Sequence, residues 1–393
     1  MFHFFNSRVY LDHASLTPTD PRVLSHMKKW YRNEIGNPSS LHREGVAAHA
    51  ALDTAKKKVA ELLRAHADEI IFTGTGTEAN NIGIMGVVQA CLNAGISISD
   101  IHIITSSIEH TSVLECFYEL ERRGAKLDVI GVTHEGVLDI EEFKKKLSPT
   151  TTLVSVQYVN NEIGTVQPLE EIIRTIRHVR KESGKAFPYF HTDASQAFLC
   201  NEVNLEKLGA DLLTLDAHKV YGPKGIGMLY IRRGVVCAPT IYGGGQEKGL
   251  RSGTENVPSI MGFVYALEIA QKERVVEIAR LTDLRKFASD QCVQILPTAH
   301  AHGAAALVSP HILNIEFPGY DAESLMLRLD AHGIACSTKS SCLRDSDESY
   351  VMKAIGAATM SSIRLSFGRI TTRGDIKKFA KVLKKVLPLA KLE

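Results

Sequence analysis

Short runs of β-branched residues alternate with longer helical patterns between residues 69 and 231. The runs, in chain order, are EIIF, IHIIT, KLDVIGV, TTLVSVQYV, PYFHT, DLLTLD and GIGMLYI. Between them, apolar residues recur at helical spacing over residues 77–93, 111–123 and 169–181. This alternation predicts an α/β fold with a mostly parallel sheet and helical crossovers. Functional residues are therefore expected in the loops at the carboxyl ends of the strands.

A second pattern follows the glycine-rich stretch YGGGQEKGLRSGTEN. A helical pattern over about residues 259–294 precedes the strand-like HILNIEF, the helix-like AESLMLRLDAHG and the strand-like SSIRLSF. We therefore expect a large domain over residues 15–258 and a smaller α+β domain formed by residues 1–14 and 259–393. The amphipathic C-terminal segment DIKKFAKVLKKVLPLAK is more typical of a packed surface helix than of a membrane-surface helix.

The amino-acid composition limits the classes of ligand that we expect. The 393 residues include 46 Lys and Arg against 44 Asp and Glu, so no charge excess indicates binding to nucleic acid or a membrane surface. No apolar run approaches membrane-spanning length, and the N-terminus does not resemble a secretory signal. The seven scattered cysteines do not suit a disulfide framework and favour a reducing cytoplasm. The expected ligand is a small molecule.

Three features lie after separate predicted strands. The segment EIIFTGTGTEANN reads as a strand, a glycine-rich turn and a helix start, which offers backbone N–H groups to a phosphate. Asp193 ends another strand, and Lys219 follows a third, beside His218. Pyridoxal 5′-phosphate (PLP) needs a lysine for its aldehyde and an acid for its pyridine nitrogen. Together these features favour a PLP site.

The glycine-rich turn also satisfies a dinucleotide fingerprint, Gly74-x-Gly76-x-x-Ala79. In that interpretation Asp100 or Glu109 would bind the ribose. The fingerprint alone is a weak signal, since a tight turn would produce it too. The nicotinamide hypothesis is therefore the less favoured one.

The chain resembles the cysteine desulfurases of the class V aminotransferase group, which share PLP fold type I. The matching segments are YLDHASLTPTDPRV, GNPSSLHREG, FTGTGTEANN, IEHTSV, YVNNEIGTVQP, HTDASQ, AHKVYGPKGIG, GGGQEKGLRSGTEN and SSIRLSFGR. Their order extends over nearly the whole chain. The resemblance implies a seven-stranded sheet, conversion of L-cysteine to L-alanine, and transfer of the sulfur to an enzyme cysteine as a persulfide.

The resemblance also implies how PLP is held. Lys219 would form a Schiff base with it, Asp193 would pair with the pyridinium nitrogen, and Gln196 would hydrogen-bond the ring phenolate. Thr254 would reach the phosphate from a second subunit, which implies a homodimer. The implied cofactor-binding residues are Gly76, Thr77, Asn161, Asp193, Gln196, His218, Lys219 and Thr254.

For the substrate, the resemblance implies that Arg364 clamps the carboxylate, with Asn37 and Asn161 nearby. Lys219 would carry the substrate's α-proton. His110 would stack on the cofactor ring and handle protons at the substrate thiol.

Cys342 lies in the polar segment IACSTKSSCLRDSDESY, which predicts a mobile loop over about residues 336–349. The resemblance implies that Cys342 attacks the substrate and carries the sulfur. Cys336 follows an apolar run and is predicted to be structural. The spacing of these two cysteines suits no zinc site, and no metal is expected.

The chain departs from the family pattern at Asp216 and in the segment around Cys342. Asp216 replaces a usual serine, and a carboxylate beside a phosphate is repulsive unless it is protonated or turned away. Lys339 and Ser341 replace a usual glycine and alanine, and the segment from Cys342 to Tyr350 is one residue shorter than the family form.

The implied sulfur acceptor is an iron–sulfur scaffold or a sulfur carrier for tRNA thiolation or cofactor synthesis. Two alternatives remain open at this point. One is a related PLP enzyme, such as a selenocysteine lyase or an aminotransferase. The other is a non-catalytic paralogue in sulfur assembly.

Overall fold

The computed structural model describes residues 8–32, 36–338 and 348–392. The strands of these residues, in chain order, are β1 (Val9–Tyr10), β2 (Ile70–Thr73), β3 (His102–Ser106), β4 (Lys126–Ile130), β5 (Thr151–Ser155), β6 (Tyr189–Asp193), β7 (Leu212–Asp216), β8 (Gly227–Ile231), β9 (His300–Ala301), β10 (Ile312–Glu316), β11 (Ile334–Ala335) and β12 (Ser362–Ser366). The α-helices are α1 (Pro21–Arg32), α2 (Arg43–Leu63), α3 (Gly76–Asn93), α4 (Thr111–Arg122), α5 (Ile140–Lys146), α6 (Leu169–Ser183), α7 (Leu205–Leu208), α8 (Val257–Ile295), α9 (Ala322–Ala331), α10 (Tyr350–Ala354) and α11 (Arg373–Val386).

Strands β2 to β8 form one sheet in the order β2-β8-β7-β6-β5-β3-β4. Strand β8 is antiparallel to β2 and β7, whereas the other neighbouring pairs are parallel. The prediction of an α/β fold with a mostly parallel seven-stranded sheet is confirmed.

Helices cover both faces of this sheet, and the side chains of each strand divide between the two faces. In β7, Leu213 and Leu215 join a core that includes α2 and α8, while Leu212 joins a core with α3 and α4. Burying such a side chain stabilises the fold by roughly 1.5–3 kcal/mol, and a register slip would move it to the other face. The packing therefore fixes the register of each strand and, with it, the position of its carboxyl end.

The C-terminal part of the chain builds a three-stranded antiparallel sheet, β12-β10-β9, while β1 pairs in parallel with β11. The core here joins residues of β1, β10, α9, β12 and α11. Helix α8, 39 residues long, packs its first part against the large sheet and its later part in the C-terminal core. We propose that the large domain spans residues 15–258 and the smaller domain residues 1–14 and 259–393.

The amphipathic helix α11 buries its apolar face in the C-terminal core, as its pattern predicts. Among the described residues, none of the helices has both the length and the apolar character needed to cross a membrane.

Candidate active site

A cleft of about 190 Å³ lies where the loops after β2, β3, β5, β6 and β7 meet. Strand β12 and the segment after β1 complete its wall. The predicted site residues that line it are Gly76, Thr77, His110, Asn161, Asp193, Gln196, His218, Lys219 and Arg364. Residues that are far apart in the sequence therefore converge at the carboxyl edge of the sheet.

Lys219 ends the short 3-10 helix that follows β7. Its Nζ donates hydrogen bonds to the carbonyl oxygens of Ala14 and Ser15, both at 2.8 Å. The segment after β1 thus holds the amine at the cleft. An amine in this position can condense with an aldehyde bound beside it.

The carboxylate of Asp193, at the end of β6, is fixed from two sides. Its Oδ1 accepts the backbone N–H of Ser195 and its Oδ2 accepts from Asn80 Nδ2, both at 2.9 Å. Each oxygen keeps a lone pair that can accept a further proton donor. Asn80, which is fully buried, was not identified from the sequence.

His110 caps the N-terminus of α4. Its Nδ1 accepts the backbone N–H of Ser112 at 3.2 Å and lies 2.8 Å from the Ser112 hydroxyl. Because Nδ1 accepts, Nε2 is the ring nitrogen that faces other partners. Ser112 also accepts from Asn80 at 2.8 Å, so one chain of hydrogen bonds joins His110 to Asp193.

Gln196 is oriented by two fixed partners. Its Nε2 donates to the Ala14 carbonyl oxygen at 2.8 Å, and its Oε1 lies 3.2 Å from His311 Nε2. Burial lowers the pKa of His311 to about 3, so this ring is neutral and donates from Nε2. The second N–H of the Gln196 amide remains for a ligand.

The positions of Glu109 and Asp100 argue against the dinucleotide hypothesis. Its Oε1 accepts from the Ser106 hydroxyl at 2.5 Å and from the Gln157 backbone at 2.8 Å, and its side chain is fully buried. Burial, reinforced by the charge of Asp193, raises its pKa to about 8. Asp100 precedes β3 and so lies at the amino end of that strand. Neither acid is placed to bind a ribose at the cleft.

Asp216 engages two groups that were assigned to the phosphate. Its Oδ2 accepts the backbone N–H of Gly76 at 2.7 Å, and its Oδ1 lies 2.6 Å from His218 Nδ1. A Cβ atom at position 76 would lie 3.0 Å from Oδ2, so glycine permits this approach. Burial raises the pKa of Asp216, but the hydrogen bonds from His218 and Gly76 outweigh it and the pKa falls below its usual value. The carboxylate is thus ionised and directed toward the phosphate site.

Arg364 projects from β12 and is only 2% exposed. Its Nη1 donates to the Asn161 carbonyl oxygen and its Nη2 to Asp12 Oδ1, both at 2.8 Å. Arg364 Nε and Asn161 Oδ1 are buried without hydrogen-bond partners. Such groups are rare and costly, so this pair points to a polar ligand. The sequence did not reveal that Asp12 pairs with Arg364.

Two predicted residues do not line the cleft of their own chain. Thr254 is exposed and borders a separate pocket with Glu247 and Arg251. Asn37 is also exposed, and its Oδ1 accepts the backbone N–H of Ser39 at 2.9 Å.

Cys342 lies outside the described residues, as do Lys339 and Ser341. Cys336 directly follows β11, and burial, helped by the nearby Asp12 and Asp330, raises its pKa to about 12. A thiol held in its protonated form is a poor nucleophile, which agrees with a structural role for Cys336.

The cleft fits PLP at the aldehyde and ring ends. Lys219 supplies an amine, Asp193 offers unfilled acceptor positions for a pyridinium N–H, and Gln196 keeps an N–H for a phenolate. At the phosphate end the fit has one conflict, because Asp216 already accepts the Gly76 N–H. A phosphate would therefore compete with this carboxylate for the Gly76 N–H.

The chain is similar in sequence and in fold to proteins of one family. The model of the "Aminotransferase class-V" family matches residues 9–379. A cysteine desulfurase IscS from Dictyoglomus turgidum is 40% identical over 383 residues, which cover 96% of this chain and 94% of the relative. The solved structure of a NifS-like protein is 34% identical, covers 97% of this chain and 100% of its own, and has a TM-score of 0.89. A structure of SspA in complex with cysteine is 31% identical, covers 91% and 98% of the two chains, and has a TM-score of 0.75. The chain therefore belongs to the class-V aminotransferase family and, within it, to the cysteine desulfurases.

Proposed function

We propose that this enzyme uses PLP to take sulfur from L-cysteine, collecting it on Cys342 as a persulfide and releasing L-alanine. The observation that carries the proposal is the convergence of Lys219, Asp193 and Arg364 in one cleft. They supply an amine for the aldehyde, a carboxylate for the pyridinium and a guanidinium for the substrate carboxylate. The related SspA, whose structure is a complex with cysteine, supports the choice of substrate.

In this proposal Lys219 would hold the aldehyde of PLP, Asp193 its pyridine nitrogen and Gln196 its phenolate. Gly76 and Thr77 at the N-terminus of α3, with His218, would hold its phosphate once Asp216 releases the Gly76 N–H. When bound, PLP acts as an electron sink that acidifies the proton on the substrate's α-carbon.

Arg364 orients the substrate. A carboxylate placed against its Nε and an Nη would receive two parallel hydrogen bonds. One of them would give the buried Nε–H the acceptor that it lacks. The buried Asn161 Oδ1 can accept from a donor of the substrate. Lys219 then takes the α-proton and later returns one, because its amine is the base at the aldehyde end of the cleft.

The sulfur moves by attack of the Cys342 thiolate on the substrate's sulfur. The new S–S bond forms as the C–S bond breaks, and the electron pair stays with the substrate fragment, which takes up protons to become L-alanine. His110, whose Nδ1 accepts the backbone N–H of Ser112, would handle the proton of the substrate thiol at its Nε2.

We further propose a homodimer in which Thr254 of one copy reaches the phosphate site of the other. Its exposure, away from the cleft of its own chain, supports that role. The persulfide would pass to an iron–sulfur scaffold or to a sulfur carrier for thiolation. A cytoplasmic location is supported by the six described cysteines, all of which are free thiols.

The test is a cysteine assay on the purified holoenzyme and two matched variants, Cys342→Ala and Cys336→Ala. L-cysteine and a thiol reductant are added, and sulfide and alanine are measured beside the visible absorption of lysine-bound PLP. We expect equal sulfide and alanine from the wild type and from Cys336→Ala. We expect neither from Cys342→Ala, although its absorption persists.

Other outcomes separate the alternatives. A PLP band without cysteine-dependent sulfide would favour an aminotransferase or a selenocysteine lyase. A protein that takes up no PLP would favour a non-catalytic paralogue. Loss of activity in Cys336→Ala with activity retained in Cys342→Ala would exchange the roles of the two thiols.

A further inference from the structure

His300, His302 and Glu316 form a cluster in the three-stranded sheet, and none of them lines the cleft. His300 and Glu316 are direct cross-strand partners between β9 and β10. The backbone N–H of His302 continues this ladder, donating to the Asn314 carbonyl oxygen at 3.1 Å. Because side chains alternate along a strand, both histidines project to the face that carries Glu316.

The donor atoms of this cluster have the separations of metal ligands. Glu316 Oε2 lies 3.3 Å from His302 Nε2 and 3.6 Å from His300 Nε2. One possible ligand atom from each of the three residues lies within 4.8 Å of the other two. In a tetrahedral zinc site with bonds of about 2.0–2.2 Å, neighbouring ligand atoms are roughly 3.3–3.6 Å apart. A cation could therefore enter with only small side-chain shifts.

Two of the three residues are buried, and the third is exposed to solvent. His302 and Glu316 are 8% and 9% exposed, whereas the His300 side chain is 57% exposed. A single histidine would satisfy one oxygen of Glu316. His302 Nε2 also lies 3.0 Å from the Ser362 hydroxyl. A second imidazole beside the same Glu316 oxygen is the arrangement that a shared cation would explain.

We propose that His300, His302 and Glu316 bind a divalent transition cation of the Zn²⁺ class, with water in the remaining position. Two imidazoles and one carboxylate are a donor set that zinc uses when one position stays open. Imidazole donors favour zinc, copper or nickel over magnesium or calcium, which prefer oxygen ligands only. The site requires neither PLP nor Cys342 and is independent of the proposed desulfurase reaction.

The cysteine spacing that led us to expect no metal carries no information about this cluster. The relevant sequence signal is His300-x-His302 at the alternation of a strand, followed by an acid on the next strand. Only the register of β9 against β10 brings Glu316 opposite His300.

The test is a ZnCl₂ titration of the full-length holoenzyme carrying Cys342→Ala, so that this thiol cannot bind the metal. Calorimetry gives affinity and stoichiometry, and elemental analysis after dialysis gives retained zinc. The test variant is His300→Ala, because an exposed ring can be removed without disturbing the core. The matched control is His178→Ala, whose Nε2 lies 3.2 Å from Glu182 in an exposed pair on α6.

We expect one zinc per chain, with affinity reduced at least about 100-fold in His300→Ala and unchanged in His178→Ala. Loss of an outer partner of a ligand already costs about 10–100-fold, and loss of a ligand costs more. Glu316→Gln should show the same loss with an unchanged circular dichroism spectrum. The proposal is overturned if the parent binds no zinc, if His300→Ala binds like the parent, or if His178→Ala loses binding equally.

Discussion

Asp216 Oδ2 accepts the backbone N–H of Gly76 at 2.7 Å, across the turn that begins α3. Through its other oxygen the same carboxylate contacts His218 Nδ1 at 2.6 Å. An internal anion therefore occupies donors that the family resemblance assigns to a phosphate. Since an ionised carboxylate and a phosphate repel each other, we expect uptake of PLP to require displacement of Asp216.

We predict that Asp216→Ser binds PLP about tenfold more tightly than the wild type, which corresponds to roughly 1.4 kcal/mol. The variant removes the negative charge and frees the Gly76 N–H for the phosphate. The dissociation constant of PLP is measured by titrating the apo protein. Asp128→Ser, which breaks a comparable contact with His102 outside the cleft, is the matched control and should bind PLP like the wild type. Weaker PLP binding in Asp216→Ser would instead mean that Asp216 supports the cofactor.

Arg364→Lys should raise the KM for L-cysteine about 10- to 100-fold while leaving the absorption of bound PLP in place. Lysine keeps the charge but loses the planar fork that gives a carboxylate two parallel hydrogen bonds. The comparison is Arg369→Lys, a partly buried arginine that pairs with Asp20 and Glu273 and does not line the cleft. An unchanged KM in Arg364→Lys would remove Arg364 from the substrate site.

Asn80→Ala should weaken the interaction of Asp193 with the pyridine nitrogen of PLP, while PLP itself stays bound. Loss of the donor to Asp193 Oδ2 leaves the carboxylate held on one side only. We expect kcat to fall about tenfold and the pH midpoint of the visible PLP band to move, as for loss of a hydrogen bond to a charged group. Asn81→Ala changes the neighbouring residue, whose Nδ2 donates only to the α3 backbone at Thr77, and should leave both quantities unchanged. If only thermal stability changes in Asn80→Ala, then Asn80 is a packing residue.

The fold could be predicted from the sequence because its strands and helices have strong periodicity. In β7, for example, Leu212 and Leu213 must face opposite sides, and both sides are buried. The order of the strand ends then placed Asp193 and Lys219 at the same edge of the sheet. These are consequences of local pattern and of parallel topology, which a sequence contains.

The contacts that complete the site could not be predicted in this way. The pairing of Asp12 with Arg364 and the approach of Asp216 to Gly76 join residues that are distant in the chain. The sequence revealed that Asp216 would conflict with a phosphate, but not which way the carboxylate points. That direction depends on the His218 ring and on the turn at Gly76, neither of which follows from residue type alone.

Glu109 should make the stability of the protein depend on pH. Burial raises its pKa from the ordinary 4.5 to about 8. Between these two values the unfolded chain releases the proton of Glu109, while the folded protein keeps it. The contribution of Glu109 to stability is therefore fully present below pH 4.5 and is lost progressively as the pH rises toward 8.

Glu109→Gln cannot lose a proton, and its amide oxygen can still accept from Ser106 and Gln157 at the position of Oε1. The variant should match the wild type near pH 4.5 and become more stable by several kcal/mol near pH 8, since each pH unit of the interval is worth roughly 1.4 kcal/mol. Urea unfolding of the apo protein at several pH values measures the difference. Glu119→Gln, on the surface of α4, is the control and should not show this rise. Parallel stability curves for Glu109→Gln and the wild type would mean that Glu109 is ionised in the folded protein.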